Sequence, residues 1–286
     1  MLLFVAVVWG SAFVAQRIAA PKMGIFTFNG LRFLLAGIVL LPAAFHNRLK
    51  LKALDRKSLA GILLAGVLLW GGATLQHAGL RSTTAANAGF ITGLYVVLVP
   101  IILAVLFKRR SSPLIWVSAT LAVVGLFLLS TGGKLRVNIG DILEMSGAFF
   151  WAFHVILIGW LVQRVNIYHL AVGQYLICGA LGLAAGLLLE RNSAISSSVI
   201  WWSVFYTGLI SVALGYTLQA YGQRTAPPSD AAIILSAEAV FAALFGWLIL
   251  SERLSTIQLI GCAVILSSIL LSQVGAFNAH RHKTRP

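Results

Sequence analysis

Apolar residues run along the chain in ten long stretches separated by short polar punctuation: 2–20, 24–45, 59–79, 82–107, 112–130, 140–162, 167–189, 199–222, 226–250 and 254–275. Each is close to the roughly 20 residues a helix needs to cross a bilayer. None shows the alternation of a membrane β-barrel strand. Inside lipid every backbone N–H and C=O has to be paired within its own element, so the stretches are predicted as helices. The connections are mostly short, so consecutive helices are predicted to run antiparallel. The first stretch begins at Leu2 without a basic leader and reads as a span rather than a cleaved signal. Composition agrees: of 286 residues 59% are hydrophobic and 10% charged, and mean hydropathy is +0.94. An average soluble domain carries about 25% charged residues. The expected class is an all-α polytopic membrane protein.

Net charge is +14. In a soluble protein that would point to nucleic acid; here basic residues are expected to mark cytoplasmic loops, with no nucleic-acid partner. With the N-terminus placed inside, the inner set holds 13 Lys and Arg: five in 46–57 (Arg48, Lys50, Lys52, Arg56, Lys57), Lys108 to Arg110, Arg164, Arg224, Arg281, Lys283 and Arg285. The outer set holds seven: Arg17, Lys22, Arg81, Lys134, Arg136, Arg191 and Arg253. The excess places both termini in the cytoplasm. Cys178 and Cys262 fall in apolar stretches and read as small core residues, not a disulfide or metal pair.

The chain also repeats itself. Residues 72–81, Gly-Ala-Thr-Leu-Gln-His-Ala-Gly-Leu-Arg, and residues 215–224, Gly-Tyr-Thr-Leu-Gln-Ala-Tyr-Gly-Gln-Arg, are identical at six of ten positions, with an offset of 143. That offset pairs Asn87 with Asp230, Tyr95 with Glu238 and Ser112 with Ser255; an offset of 142 pairs Trp9 with Trp151 and Arg32 with Gln174. Chance matching in an apolar chain explains paired Leu and Gly but not paired Gln and Arg. Each unit holds five helices, an odd number, so two units in one chain cross the membrane in opposite senses. The expected architecture is ten transmembrane helices in two inverted five-helix repeats, 1–130 and 139–275, with a basic cytoplasmic tail at 276–286. Secondary transporters use such inverted repeats, with the substrate path at the repeat interface near the midplane.

The motifs Val8-Trp9-Gly10-Ser11-Ala12-Phe13-Val14, Leu31-Arg32-Phe33, Tyr95 to Pro100, and Leu250-Ser-Glu252-Arg-Leu254 followed by Ile260-Gly261 together resemble the EamA type of the drug/metabolite transporter superfamily. The resemblance covers nearly the whole chain. It implies ten helices in two inverted repeats, cytoplasmic termini and transport of small organic solutes, often export. The chain departs from that pattern at Lys108-Arg109-Arg110, where the first repeat often carries the acidic turn, and at Glu238-Ala239, where a proline is common.

Ionisable groups at lipid depth are costly and tend to face a cavity. Glu238, in the middle of the ninth stretch, is a candidate proton carrier or site for a substrate amine; the alternative is a protonated side chain hydrogen-bonded between helices. Arg32 is a candidate for a substrate carboxylate, or a structural ion pair. His154 lies one turn from Trp151 on the same face and is either a site residue or a packed, hydrogen-bonded one. Trp9 and Trp151 could sandwich a planar or cationic solute, or simply pack. Tyr95, the counterpart of Glu238, completes the predicted pathway of Trp9, Arg32, Tyr95, Trp151, His154 and Glu238. Glu144 is a further ionisable group, nearer a helix end. Gln76 and Gln219 are predicted either to line gates at opposite ends or to cap the turns that follow. Pro100 predicts a kink. Pro227-Pro228-Ser229-Asp230 reads as a helix start, with Asp230 structural. Gly182 to Gly186 forms a GxxxG stripe for helix packing; Gly71-Gly72 and Gly132-Gly133 permit close approach or bending. Trp201 and Trp202 read as an interfacial belt.

No P-loop, HExxH, GxSxG or Cys/His zinc spacing occurs, so no cofactor, metal or catalytic residue is predicted. The expected function is a secondary transporter, an exporter or exchanger, of small organic metabolites such as amino acids, working by alternating access. It is placed in the bacterial inner membrane, as a monomer or weak homodimer, with small solutes, lipid and candidate protons as its partners. The rivals are an intramembrane lipid-modifying enzyme, which would need a cluster of carboxylates or histidines at one face, and a non-transporting scaffold.

Overall fold

The computed structural model describes residues 1–46, 55–109, 111–131, 138–190 and 198–283. The described residues are helical and contain no strand. In order they form α1 (Leu2–Ala19), α2 (Ile25–His46), α3 (Arg56–Gly79), α4 (Ala85–Gly93), α5 (Tyr95–Val105), α6 (Pro113–Thr131), α7 (Ile139–Leu161) and α8 (Ile167–Leu189). Then follow α9 (Ser198–Tyr206), a π-helical segment (Thr207–Tyr216), α10 (Thr217–Gly222), α11 (Pro228–Leu235), α12 (Glu238–Leu250) and α13 (Thr256–Lys283). Eight continuous or nearly continuous helical runs are long and apolar enough to cross a membrane; 113–129 and 256–272 are shorter apolar helices. The helix of the last stretch runs on through Lys283, past the predicted boundary at 275. Of the basic residues counted in the loops, Arg48, Lys50, Lys52, Arg110, Lys134, Arg136, Arg191 and Arg285 lie outside the described residues, as do Gly132 and Gly133.

The helix starts are written locally. Asp55, Thr84 and Asn166 accept from backbone N–H groups of α3, α4 and α8. Asn138 and Asp141 form a reciprocal capping box on α7. The start of α2 is capped from elsewhere in the chain: the Glu190 carboxylate, just beyond α8, accepts from Phe26 N and Thr27 N, both at 2.9 Å. α11 starts with Pro228 at its first turn and Asp230 behind it, as the sequence predicted.

The fourth and ninth apolar stretches are each broken, at Leu94 and at Ser236–Ala237. Pro100 sits inside α5 without ending it, so the interruption falls six residues before the predicted kink. The ninth stretch breaks at the matching place with Ala243 where the offset puts Pro100, so the break does not require proline. Both breaks leave Tyr95 and Glu238 as the first residues of the second half-helices.

α2 packs on α8, α6 on α13, α3 on α7 and α1 on α12. Close contacts recur at the sequence offset. A side chain at Gly66 would meet Ile177 at 2.6 Å; one at Gly208 would meet Leu35 at 2.9 Å. Gly37 abuts Leu176 and Gly179 abuts Leu34; Gly72 abuts Trp151 and Gly215 abuts Trp9. In each case both partners shift by 142 or 143 residues. The helix ends match as well. Lys108 and Ser251 are the non-glycine residues with positive φ, 53° and 56°. They precede the bonds Arg109 N to Leu103 O (2.9 Å) and Glu252 N to Gly246 O (3.1 Å), the Schellman closure of a helix. The Glu252 carboxylate lies near Ala85 at the start of α4, whereas Lys108 follows the end of α5. The two matching turns therefore lie at opposite ends of the bundle.

The outward faces carry large apolar side chains, Leu187 and Leu188 at 85% and 78% exposure among them. Trp201 and Trp202 lie exposed at the start of α9, where a belt residue belongs. Gly182 of the GxxxG stripe meets Gly30 across the α2–α8 contact, so the stripe serves packing within the chain.

Candidate functional site

A small, narrow cavity lies within the bundle, walled by both halves of the sequence. All six predicted pathway residues, Trp9, Arg32, Tyr95, Trp151, His154 and Glu238, line it. Gln76 and Gln219 line it too.

At its centre the Tyr95 hydroxyl donates to Glu238 Oε1 at 3.1 Å, both side chains being buried. These two residues are counterparts at the sequence offset of 143. Glu238 is held by a neutral donor rather than a cation. Its place in the first turn of α12 also turns the helix dipole in favour of the carboxylate.

Arg32, on α2, is buried with 3% exposure. Its Nε donates to Asn29 Oδ1 at 2.9 Å, and its guanidinium lies over the Phe33 and Phe28 rings at 4.9 and 5.5 Å. No ion pair to a carboxylate forms among the described residues, so the structural-pair reading of this arginine is not the one observed. Its charge is held by a side-chain amide and π faces and stays available to an anionic group in the cavity.

The aromatic wall centres on Tyr216, which the sequence reading did not single out. Its ring lies 4.6 Å from Trp9, 6.1 Å from Trp151 in a stacked arrangement, and 6.0 Å from His154. Trp9 and Trp151 thus flank Tyr216 rather than an empty slot. Tyr216 closes the π-helical segment Thr207–Tyr216, within which Ser211 O accepts from Trp9 Nε1 at 3.1 Å. Segments of this kind gather at functional sites. The counterpart of Tyr216 is Ala73, so the repeat gave no signal for it. Gln16 and Thr92 were missed for the same reason of being ordinary polar residues in apolar runs.

His154 is both packed and lining: its Nε2 bonds Gln174 Oε1 at 2.8 Å, while Nδ1 is buried without a partner. Trp151 Nε1, Gln16 Oε1 and Gln219 Oε1 are likewise buried and unpartnered. A buried polar atom without a partner costs about 1–3 kcal/mol. Four of them belong to residues lining one void, beside one guanidinium and one carboxyl. Among the described residues no cluster of three His, Cys, Asp or Glu could hold a metal ion.

The EamA-like transporter family matches the chain over residues 1–131 and 138–273. An uncharacterized transporter of Archaeoglobus fulgidus is 35% identical over 270 residues, spanning 94% of this chain and 83% of the relative. The uncharacterized inner membrane transporter YedA of Escherichia coli is 26% identical over 276 residues, spanning 95% and 89%. A solved crystal structure superposes with a TM-score of 0.78 at 18% identity, covering 97% of each chain, which supports the fold alone.

Proposed function

The chain belongs to the EamA-like transporter family and is a multi-pass membrane transporter, and from that premise we propose that it moves small organic metabolites, amino acids or their relatives, by alternating access. In this reading ten spans form two inverted five-helix repeats, residues 1–130 and 139–275, with both termini in the cytoplasm. The membrane is a bacterial inner membrane, and the protein works as an exporter or exchanger. The meeting of Tyr95 with Glu238 carries the reading. In this reading the axis between the halves passes through the cavity, where a rocking of one half against the other changes access most directly. The offset contacts of Gly66 with Ile177 and Gly208 with Leu35, and the matching turns at opposite ends, support it.

The solute class follows from the lining. Arg32 offers a cation to a carboxylate, Glu238 offers an anion to an amine, and Trp9, Trp151 and Tyr216 offer a flat apolar wall. A small zwitterion with an apolar body satisfies all three, and the unpartnered Gln16 and Gln219 oxygens accept from its remaining donors. The test is counterflow into proteoliposomes against a panel of amino acids, sugars and aromatic metabolites, with and without a pH gradient. Exchange of zwitterionic solutes, lost in Arg32→Gln, is the expected result. Exchange of neutral sugars alone would overturn the assignment.

A further inference from the structure

Glu238 is not the only carboxyl sealed inside the protein. Glu144, on α7, has 0% exposure. One of its oxygens, Oε2, accepts from the Thr92 hydroxyl at 3.1 Å; the other, Oε1, is buried without a partner. Thr92 belongs to α4 and lines the cavity, one turn from Tyr95. The two hydroxyls on either side of the break at Leu94 therefore each hold a buried carboxyl, Glu144 and Glu238.

Among the described residues no cation balances Glu144. The titratable groups whose charges reach it are Asp141, one turn away on the same helix, and Glu238, both acidic. From α3, His77 turns to α2, stacked on Phe28 at 4.5 Å, and Arg81, just beyond that helix, is spent on the Ala20 and Met23 carbonyls. From α5, Tyr95 is engaged with Glu238. α11 brings Asp230 near the far end of α7, where Pro228 meets Gly159. Asp141 itself is fully employed, accepting from Thr83 at 3.0 Å and from Asn138 N at 2.9 Å.

The fold does not require a carboxyl at this place. Glu144 packs against Gly79, its Cγ 2.7 Å from where a side chain there would begin; at the matching position of the other half Leu2 packs against Gly222 at 2.6 Å. The same niche accepts leucine, yet here it holds an ionisable group with an idle oxygen. An ionised carboxylate sealed from water without a cation is costly enough that it binds a proton instead.

We propose that Glu144 is a proton-binding site of its own, distinct from Glu238, and that the Thr92 hydroxyl passes its charge state to the cavity. With Glu144 ionised, the Thr92 hydroxyl donates its hydrogen bond to the carboxylate and presents lone pairs to a guest. With Glu144 protonated, the carboxyl donates to Thr92, whose own proton turns to the cavity. The lining changes from acceptor to donor with no heavy atom displaced. The proton reaches Glu144 from the end of the bundle marked by Asn138 and Asp141. The use of the switch rests on the transporter reading; the site does not.

The test is infrared difference spectroscopy of the protein in lipid, following the protonated-carboxyl stretch across a pH titration. The wild type is expected to show a band that grows as pH falls. That band should be lost in Glu144→Gln and in Glu144→Leu, displaced in Thr92→Val, and retained in Glu238→Gln. Glu144→Leu copies the Leu2 niche and guards against a variant that merely fails to fold. If replacing Glu144 removes no band, if its band does not respond to pH, or if Thr92→Val leaves the band unmoved, the proposal is wrong. Counterflow by the same wild-type vesicles reads the transporter proposal separately: a titrating band without solute exchange leaves the site and removes the transport, and exchange without the band does the reverse.

Discussion

Glu238 is sealed beside a neutral partner, so its charge has to be matched by something that enters and leaves the cavity. A proton and a substrate amine both qualify. Glu238→Gln keeps the shape and still accepts from Tyr95, but fixes neutrality. We expect the variant to fold, to lose pH-driven accumulation and to retain counterflow. If it accumulates solute under a pH gradient at the wild-type rate, the carboxyl plays no part in coupling. Tyr95→Phe tests the same bond from the other side. It leaves a buried carboxyl without its hydroxyl donor, at a cost of about 1–3 kcal/mol, read as a lowered melting temperature that Glu238→Gln does not share.

At the scale of elements the glycines set how closely helices approach, and they work in counterpart pairs. A methyl at Gly66 would sit 2.6 Å from Ile177 Cβ and 3.0 Å from a backbone oxygen of α8; one at Gly208 would sit 2.9 Å from Leu35 and 3.0 Å from a backbone oxygen of α2. Gly66→Ala and Gly208→Ala should each destabilise, by about 1–3 kcal/mol as overpacking does. Gly147→Ala, with 3.5 Å to its nearest neighbour, should be neutral or slightly stabilising. Equal melting temperatures for all three would contradict the packing account. The turns carry a second element-scale prediction. Glu252 lies near Ala85 N, where a carboxylate can support the start of α4, and the residue matching Ala85 is Pro228, which has no N–H to offer. That explains why the first half has Arg109 where the second has Glu252. Glu252→Ala should cost about 0.5–2 kcal/mol, the usual loss of a cap, whereas Arg109→Glu should gain no stability. A stabilised Arg109→Glu chain would contradict this.

At the scale of the molecule, the helices and most of the cavity were legible in the sequence because lipid allows so few backbone solutions and because the repeat pairs Trp9 with Trp151 and Tyr95 with Glu238. What breaks the repeat was not legible. Tyr216 faces Ala73 at the offset, the π-helical turn around it has no residue pattern of its own, and Glu190 caps α2 from more than 160 positions away. Pro100 misled because the break it seemed to mark recurs without a proline. The ends of the bundle differ too. Arg81 ties the end of α3 to Ala20 O and Met23 O, at 3.0 and 2.9 Å, and Arg17 returns a bond to Leu80 O. Its counterpart Arg224 is exposed and lies over Tyr221 at 5.6 Å. On the alternating-access proposal, two identical residues at matching places in different states mark one of two arrangements of the halves. In the other arrangement Arg224 is expected to take up the Val162 and Val165 carbonyls, which match Ala20 and Met23 at an offset of 142, while Arg81 lets go.

The central claim, that one cavity opens to each side in turn, is tested most directly by a single cysteine at Ala12, a small lining residue whose counterpart is His154. Cys178 and Cys262 are first replaced, and a membrane-impermeant thiol reagent is applied to one face at a time, with and without a transported solute. The account predicts reaction from both faces, with solute on one side speeding labelling from one face as it slows labelling from the other. Labelling from a single face under every condition, or labelling from both faces that solute leaves unchanged, would contradict it.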